Sequence, residues 1–583
     1  MRYNLIIGLL LLVVIAGCTQ SMNMHDDDMD DLPCHMMPGG EMMGDCDEPD
    51  NDDGDHMREG TAGDGMMMGS MMGGMQDELL PGQEHSLDSL SSALSSSIID
   101  VADGETYKIT AEIIKKNING KELTMYGYNG MIPGPALRVK QGSTINVIFE
   151  NKIDMNTTIH WHGLRHDIEN DGVPGVSQDP VASGDSFTYE LYFPDDGIFW
   201  YHPHVREDIQ QDAGLAGNML VIPTQAYNPV NREELIVLDD ILVDEKGQMV
   251  PFGKEHANFA IMGRFGNVML TSGETDYSLS VKKGEVVRLY VTNVANVRPF
   301  NFSVAGAQMK LVGGDLGQFE HEEFVDSIII APAVRFIVDV LFEESGSYNL
   351  MNANPHQSYV LGTIEVSEEE TDISYVESFT QDLRNQYVID YIASFEEYFD
   401  KDVDYHLDLT IDMMGMMDSM ANMPCHSMGG MIMGDCSGDE REDLESELGH
   451  ENMTIEWEDE MNMKASAAMI EWIIEDASTQ LQNMDVVMQA TVGDVVKIRL
   501  FNDPESLHPM QHPIHLHGQR FLITQMDGVN VENKVWTDTI LVPIGSTVDI
   551  LVHVTNPGNW MMHCHIAEHL EAGMMASFNV EDK

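Results

Sequence analysis

The sequence predicts an all-β protein of three Greek-key β-sandwiches behind a disordered N-terminal tether, and three observations predict it. First, an alternating apolar run carrying a Gly and, further on, an Asn occurs three times: VKQGSTINVIFEN (Gly142, Asn151), VKKGEVVRLYVTN (Gly284, Asn293) and TVGDVVKIRLFN (Gly493, Asn502). Such alternation is the pattern of a half-buried strand. Second, each unit closes on a similar segment: Gly197-Ile-Phe-Trp-Tyr-His202, Gly346-Ser-Tyr-Asn-Leu-Met351 and Gly558-Asn-Trp-Met-Met-His563. Third, residues 22 to 84 hold eighteen acidic residues against one basic residue, Arg58, with almost nothing β-branched or aromatic to bury, so they cannot build a core. The first two repeats are 142 residues apart and the last two 209, so the third unit has gained about 67 residues near 371 to 463. The expected sandwiches are residues 98 to 226, 227 to 372 and 404 to 583, with a linker at 373 to 403 and an insert at 412 to 436; the tether is expected to run from 18 to 97.

A chain of 583 residues with 43% apolar residues is long enough for several real cores. Its 98 Asp and Glu against 30 Lys and Arg give a net charge of −68. That excludes nucleic acid as a partner and argues against a basic hold on anionic lipid. Cations are the favoured company. Only −17 of this charge lies in the tether, so acidity is general.

The first residues read as a processing signal. Arg2 precedes an apolar run over residues 5 to 16, the length of a signal-peptide core and short for a membrane span. It ends in Ile15-Ala16-Gly17-Cys18, which resembles a bacterial lipobox with Cys18 as the lipidated residue. The plainer alternative is a signal peptide with an incidental cysteine. Both readings export the chain, and the first anchors it at the outer face of a membrane, where disulfides are permitted.

Methionine is in excess, 45 residues or about 8% of the chain. Fourteen lie in residues 22 to 84. A second group, Met413, Met414, Met416, Met417, Met420, Met423, Met428, Met431 and Met433, lies in the third-unit insert, where PCHSMGGMIMGDC (424 to 436) nearly duplicates PCHMMPGGEMMGDC (33 to 46). Together with Cys425, His426 and Cys436, these side chains offer thioether, imidazole and thiol donors, the soft set that suits Cu(I). The bland alternative is a solvated loop with a disulfide between Cys425 and Cys436, and another between Cys34 and Cys46; disulfides are also compatible with copper capture.

The remaining cysteine, Cys564, sits in His563-Cys564-His565-Ile-Ala-Glu-His569-Leu-Glu-Ala-Gly-Met574. On an extended strand Cys564 faces one way and both flanking histidines the other, so one segment serves two sites. Thiolate, imidazole and a weak thioether from Met574 make the ligand set of a blue-copper electron-transfer centre. Three further clusters, His160-Trp161-His162-Gly163, His202-Pro203-His204 and His512-Pro-Ile-His515-Leu-His517-Gly518, bring the total to eight paired histidines, with His512 left over for the thiolate site. So many imidazoles exceed the need of a four-coordinate zinc site and suit a three-copper cluster.

These four clusters resemble the ligand motifs of the multicopper oxidases, the family of laccases and copper-efflux oxidases, and the likeness spans about residues 100 to 583, including PGPALRVKQG and DGVPG. The resemblance implies cupredoxin-like domains and four copper ions. Type 1 copper would take His512, Cys564 and His569 with axial Met574; type 2 copper His160 and His515; the type 3 pair His162, His202, His204, His517, His563 and His565. It further implies that a one-electron donor reduces the type 1 site, that the Cys564 backbone with His563 and His565 relays each electron, and that the cluster reduces O₂ to water. Asp171 matches the family's proton-handling carboxylate, against the alternative of an ordinary turn residue in Asn170-Asp171-Gly172. The family often places a second such Glu directly after the type 1 His; here Leu570 follows His569, with Glu568 and Glu571 as substitutes. The middle unit has NVRPFNFS in place of HWHG, so the cluster is expected between the first and third units.

Three functions follow from this reading. One is oxidation of Cu(I) to Cu(II) in copper tolerance, suggested by the methionine-rich insert. The second is a laccase-like oxidation of phenols. The third is a lipid-tethered copper-sequestering protein without turnover, which the intact ligand set weighs against.

Overall fold

Alternating apolar residues around the three glycines fold as antiparallel and parallel strands whose inward faces meet in three separate cores. The computed structural model describes residues 78–225, 227–381, 383–413, 454–458 and 464–583, together with the backbone of four short strands at 35–36, 42–43, 426–428 and 431–433. The chain divides into a unit of residues 1–67 and a unit of residues 68–583. In the first, His35–Met36 pairs antiparallel with Met42–Met43. In the second, the near-duplicate segment forms the same motif, His426–Met428 against Met431–Met433.

The first sandwich stacks a four-stranded sheet (Ser186–Tyr192, Thr144–Lys152, Thr106–Ile118, Lys121–Tyr128) on a five-stranded one, whose order is Ile98–Asp100, Ala136–Lys140, Gly217–Ile222, Gly197–His202 and His160–His162. The middle sandwich pairs a six-stranded sheet with a five-stranded sheet in which Phe300–Val304 lies between Gly346–Ala353 and Ile328–Ile330. In the third, the five-stranded sheet runs Val487–Thr491, Met575–Glu581, Gly558–Cys564, His512–Leu516 and Thr539–Val542. Each sandwich fills with its own apolar cluster, centred on residues such as Phe149 and Tyr189 in the first, Phe300 and Phe302 in the middle, and Ile498, Leu500 and Phe578 in the third.

Two expectations are corrected here. The last twenty residues assigned to the disordered tether, 78 to 97, belong to the fold: Glu78–Leu79 pairs with Phe252–Gly253, and Leu79 and Leu80 pack against Met249 and Phe252. The low-complexity composition ends at Asp77, and the apolar residues that follow have a core to join. Met413, counted with the insert's metal ligands, continues the inward alternation of Leu407, Leu409 and Ile411 and is core, 4% exposed. The segment expected as a linker carries helices at Val376–Thr380, Gln386–Ala393 and Glu396–Phe399, and Ile392 and Phe395 from it join the first sandwich's cluster.

A candidate copper centre in two parts

Strand pairing brings the sequence clusters together. His160–His162 lies antiparallel to Gly197–His202 with His160 opposite His202, and His512–Leu516 lies against Gly558–Cys564 with His515 opposite His563 and Ile514 opposite Cys564. Alternation then sorts the side chains, sending Cys564 to one side of the sheet and His563 and His565 to the other.

On the first side, Cys564 Sγ lies 3.6 Å from His512 Nδ1 and 3.6 Å from His569 Nδ1. His569 rides on the short helix Ala567–Glu571. Met574 is fully buried in the same core cluster as Cys564, and its backbone is tied to both residues, by Cys564 N–H to Met574 O (3.1 Å) and Met574 N–H to His569 O (3.0 Å). With metal–sulfur and metal–nitrogen bonds of about 2.3 and 2.1 Å, as for zinc, a 3.6 Å separation subtends about 110°, so one first-row ion can span these donors. Burial pushes the Cys564 thiol well above its ordinary range, so a bound cation has to supply the charge that makes it a thiolate. Burial lowers His512 to about 3 and His569 well below 6.5, leaving both rings neutral and able to donate lone pairs. Trp472 stacks on His569 with centroids 4.0 Å apart, and its Nε1–H donates to Ala260 O at 2.7 Å.

On the other side, His160, His162, His202, His204, His515, His517, His563 and His565 converge, all buried. Hydrogen bonds fix most of their tautomers. A carbonyl only accepts, so Nδ1 carries the proton in His160 (to Asp171 O, 2.8 Å), His202 (to Pro203 O, 2.8 Å), His515 (to Asp538 O, 2.9 Å) and His563 (to Cys564 O, 2.8 Å). The Nε2 atoms of His160, His202, His204 and His515 are left buried without a hydrogen-bond partner among the described residues. His517 donates Nδ1–H to Asp171 Oδ2 at 2.9 Å. Its Nε2 then faces His563 Nε2 across 2.9 Å, two lone pairs that only a cation or a proton between them reconciles. Burial, reinforced by the neighbouring imidazoles, depresses His162, His202, His517, His563 and His565 well below 6.5, and lowers His204 to about 3. Inward-facing bare nitrogens that resist protonation are what metal ions require, and the outward hydrogen bonds orient them.

Asp171 sits at the rim of this cluster. Besides its bond to His517, its Oδ1 lies 3.3 Å from His160 Nδ1 and 3.6 Å from His166 Nε2. Burial alone would raise its carboxyl, but His517 and His160 outweigh that and hold it well below the usual carboxylate range. Of the substitutes for the missing Glu, Glu568 is buried and accepts from Asn296 at 2.7 Å, and Glu571 is raised to about 7 by burial.

Families of known proteins agree with this geometry. Models described as multicopper oxidase match residues 110–226, 200–369 and 454–583, together more than half of the chain. The chain belongs to the multicopper oxidase family. Relatives include the copper resistance protein A homolog of Pseudomonas syringae pv. tomato, 24% identical over 566 residues covering 83% of this chain and 93% of that protein. A laccase of Arthroderma benhamiae is 24% identical over 525 residues, covering 81% and 77%. Among solved structures, a multicopper oxidase from Campylobacter jejuni described as a metallo-oxidase superposes with a TM-score of 0.60 at 22% identity, over 87% of this chain and 99% of that one. The three sandwiches are thus cupredoxin-like, and copper is the cofactor the family implies.

Within this multicopper oxidase, several residues with a part in the site escaped the sequence reading. Glu207, three residues after His204, places Oε1 3.2 Å from His204 Nδ1 and is raised well above the usual carboxylate range, by burial first and then by Glu571 and Asp208. Asp538 accepts from His162 Nε2 at 2.9 Å. Trp472 covers His569. None belongs to a histidine cluster, and only Glu207 had a signal, its short spacing from His204. Met414, Met416, Met417, Met420, Met423, Cys425, Cys436 and Cys18 lie outside the described residues; His426, Met428, Met431 and Met433 are described only as strand backbone.

Proposed function

We propose that this oxidase draws single electrons from a donor at the Cys564 side and reduces O₂ to water at the eight-histidine side, with Cu(I) as its principal donor. Four bound copper ions would supply the one-electron redox chemistry and the oxygen-binding centre. His512, Cys564, His569 and Met574 would hold type 1 copper, His160 and His515 type 2, and His162, His202, His204, His517, His563 and His565 the type 3 pair. The protein's own contribution is positional. The strand that ends in Cys564 places its sulfur on one side and His563 on the other, so electrons cross by a few covalent bonds. Trp472 and the surrounding apolar cluster exclude water from the thiolate side. Asp171, hydrogen-bonded to His517 and open toward His166, is placed to hand on protons as oxygen is reduced.

One observation carries the choice of donor. The methionine-rich insert springs from strand Tyr405–Asp412, whose register sets Ile411 opposite Trp472 and Asp412 opposite Glu471. The tract is therefore rooted one strand away from the tryptophan that stacks on His569. Soft thioether donors suit Cu(I), and a tract rooted there delivers the substrate ion next to the residue that takes its electron. The names of the bacterial relatives, a copper resistance protein and a metallo-oxidase, support this reading; the laccase relative supports oxidation of phenols as the second. With Cys18 lipidated, the acidic segment would tether the enzyme to the outer face of a membrane.

Oxygen uptake with Cu(I) and with a methoxyphenol, measured on the full chain and on a variant lacking residues 414 to 436, decides between them. The deletion is expected to cut Cu(I) turnover several-fold and to leave phenol turnover unchanged. Unchanged Cu(I) turnover would end the insert's role.

A further inference from the structure

The middle sandwich gives no imidazole to the site, yet it sends one side chain into its wall. Arg335 heads the strand Arg335–Leu341 and is fully buried. Its guanidinium grips Asp538 in a fork, Nη1 to Oδ1 at 2.8 Å and Nη2 to Oδ2 at 2.6 Å. Nε donates to Ile198 O of the first sandwich at 2.9 Å. The Arg335 backbone N–H donates to Asp315 Oδ1 at 2.7 Å, and Asp315 Oδ2 accepts from Thr537 Oγ1 of the third sandwich. Arg335 is thereby fixed from all three sandwiches at once.

Asp538 turns that fixture toward the histidines. Its Oδ1 accepts from His162 Nε2 at 2.9 Å and from Thr539 Oγ1 at 2.8 Å, and its backbone carbonyl accepts from His515 Nδ1 at 2.9 Å. His162 and His515 stack with centroids 3.7 Å apart and planes 17° from parallel. His162 differs from its neighbours: its bare buried nitrogen is Nδ1, whereas in His160, His202, His204 and His515 it is Nε2. Three of those four rings donate Nδ1–H to a backbone carbonyl. His162, turned the other way, takes a side-chain acceptor for Nε2–H, and a free carboxylate can rotate. Gly163 leaves the space for the clamp: at φ +88, a Cβ there would lie 2.3 Å from Asp538 Oδ2 and 3.0 Å from Arg335 Nη2.

We propose that Arg335 is a positioning residue of the oxygen-reducing centre: its fork locks the Asp538 carboxylate, which keeps the His162 proton on Nε2 and the Nδ1 lone pair aimed at the metal. The fork is what matters, because a lysine keeps the charge but cannot hold both oxygens in one plane. This inference rests on the reading of the eight histidines as copper ligands.

The test uses the full copper-loaded chain with Arg335→Lys and, as a near-isosteric second variant, Asp538→Asn, whose NH2 in place of Oδ2 meets Arg335 Nη2 donor to donor and so breaks the fork. Four quantities are measured: copper per chain, the blue absorbance of the Cys564 site, the fraction of copper silent in EPR because two cupric ions are coupled, and the unfolding midpoint of the metal-free chain. Both variants are expected to keep the blue absorbance per chain and to lose several-fold in the silent fraction, Asp538→Asn more than Arg335→Lys. Wild-type silent fractions in both variants would overturn the inference. So would a parallel loss of blue absorbance and silent copper accompanied by earlier unfolding of the metal-free protein, which marks a mere scaffold residue. If the wild-type chain itself showed no silent copper, the ligand reading, not the clamp alone, would fall.

Discussion

In the first sandwich His160 stands opposite His202, and in the third His515 stands opposite His563. At the matching strand pair of the middle sandwich, Ser303 stands opposite Met351, beside the fully buried Phe302. The frame is the same and the outcome is not: where the outer sandwiches carry buried imidazoles on this face, the middle one carries the half-buried Ser303 and Met351. Neither outer sandwich completes the site alone. Each buries imidazoles whose bare nitrogens have no partner within their own sheet, and the other sandwich brings the matching donors. The middle sandwich, with nothing to share, has a serine and a methionine at those places.

The largest expected break in this comparison comes from Cys564→Ser, which removes the thiolate: the blue absorbance and all oxidase activity should vanish, and retained activity would refute the relay through this strand. Next, Asp171→Asn should slow oxygen reduction by about 100-fold, the scale of general acid catalysis. The donor should still bleach the blue centre at the wild-type rate while its recovery in oxygen is delayed, measured by stopped-flow absorbance. In the middle sandwich, Phe302→Ala should cost about 3–5 kcal/mol of stability in denaturant unfolding and leave copper per chain unchanged. A loss of copper there would erase the distinction between the sandwiches.

A further effect is on acid sensitivity. Unfolded imidazoles titrate near 6.5, while burial holds His204 and His512 at about 3 in the fold. Between those values the unfolded chain binds more protons, so stability rises with pH and is lost as pH falls from 6.5 toward 3. The metal-free protein should show a falling melting temperature over that window, and the copper-loaded protein a fall at least as steep from a higher starting temperature, because bound copper keeps the same rings unprotonated. Equal melting temperatures with and without copper would argue that copper does not sit on these rings.

Much of this was legible in the sequence. The four histidine clusters survive as local patterns because a strand's alternation is itself local, and the Gly–Asn runs mark each sandwich for the same reason. Asp538, Arg335 and Trp472 were not legible, since their partners lie far away in the chain: His162 and Asp538 are 376 residues apart, and Trp472 reaches Ala260 across 212. No spacing rule reaches that far. The end of the tether was misjudged for a related reason, because Leu79 and Leu80 are unremarkable until Phe252 is there to receive them.

The eight-histidine cluster takes half of its rings from residues 160 to 204 and half from residues 515 to 565. A nascent chain that ends before residue 512 can bring together only the first four rings, His160, His162 and His202 among them, while groups such as His160, His515 and His517 wait for the last sandwich. The full set of eight rings is in this way completed only when the last sandwich docks on the first. A chain cut short before residue 512 keeps half of the rings and none of the Cys564 ligand set.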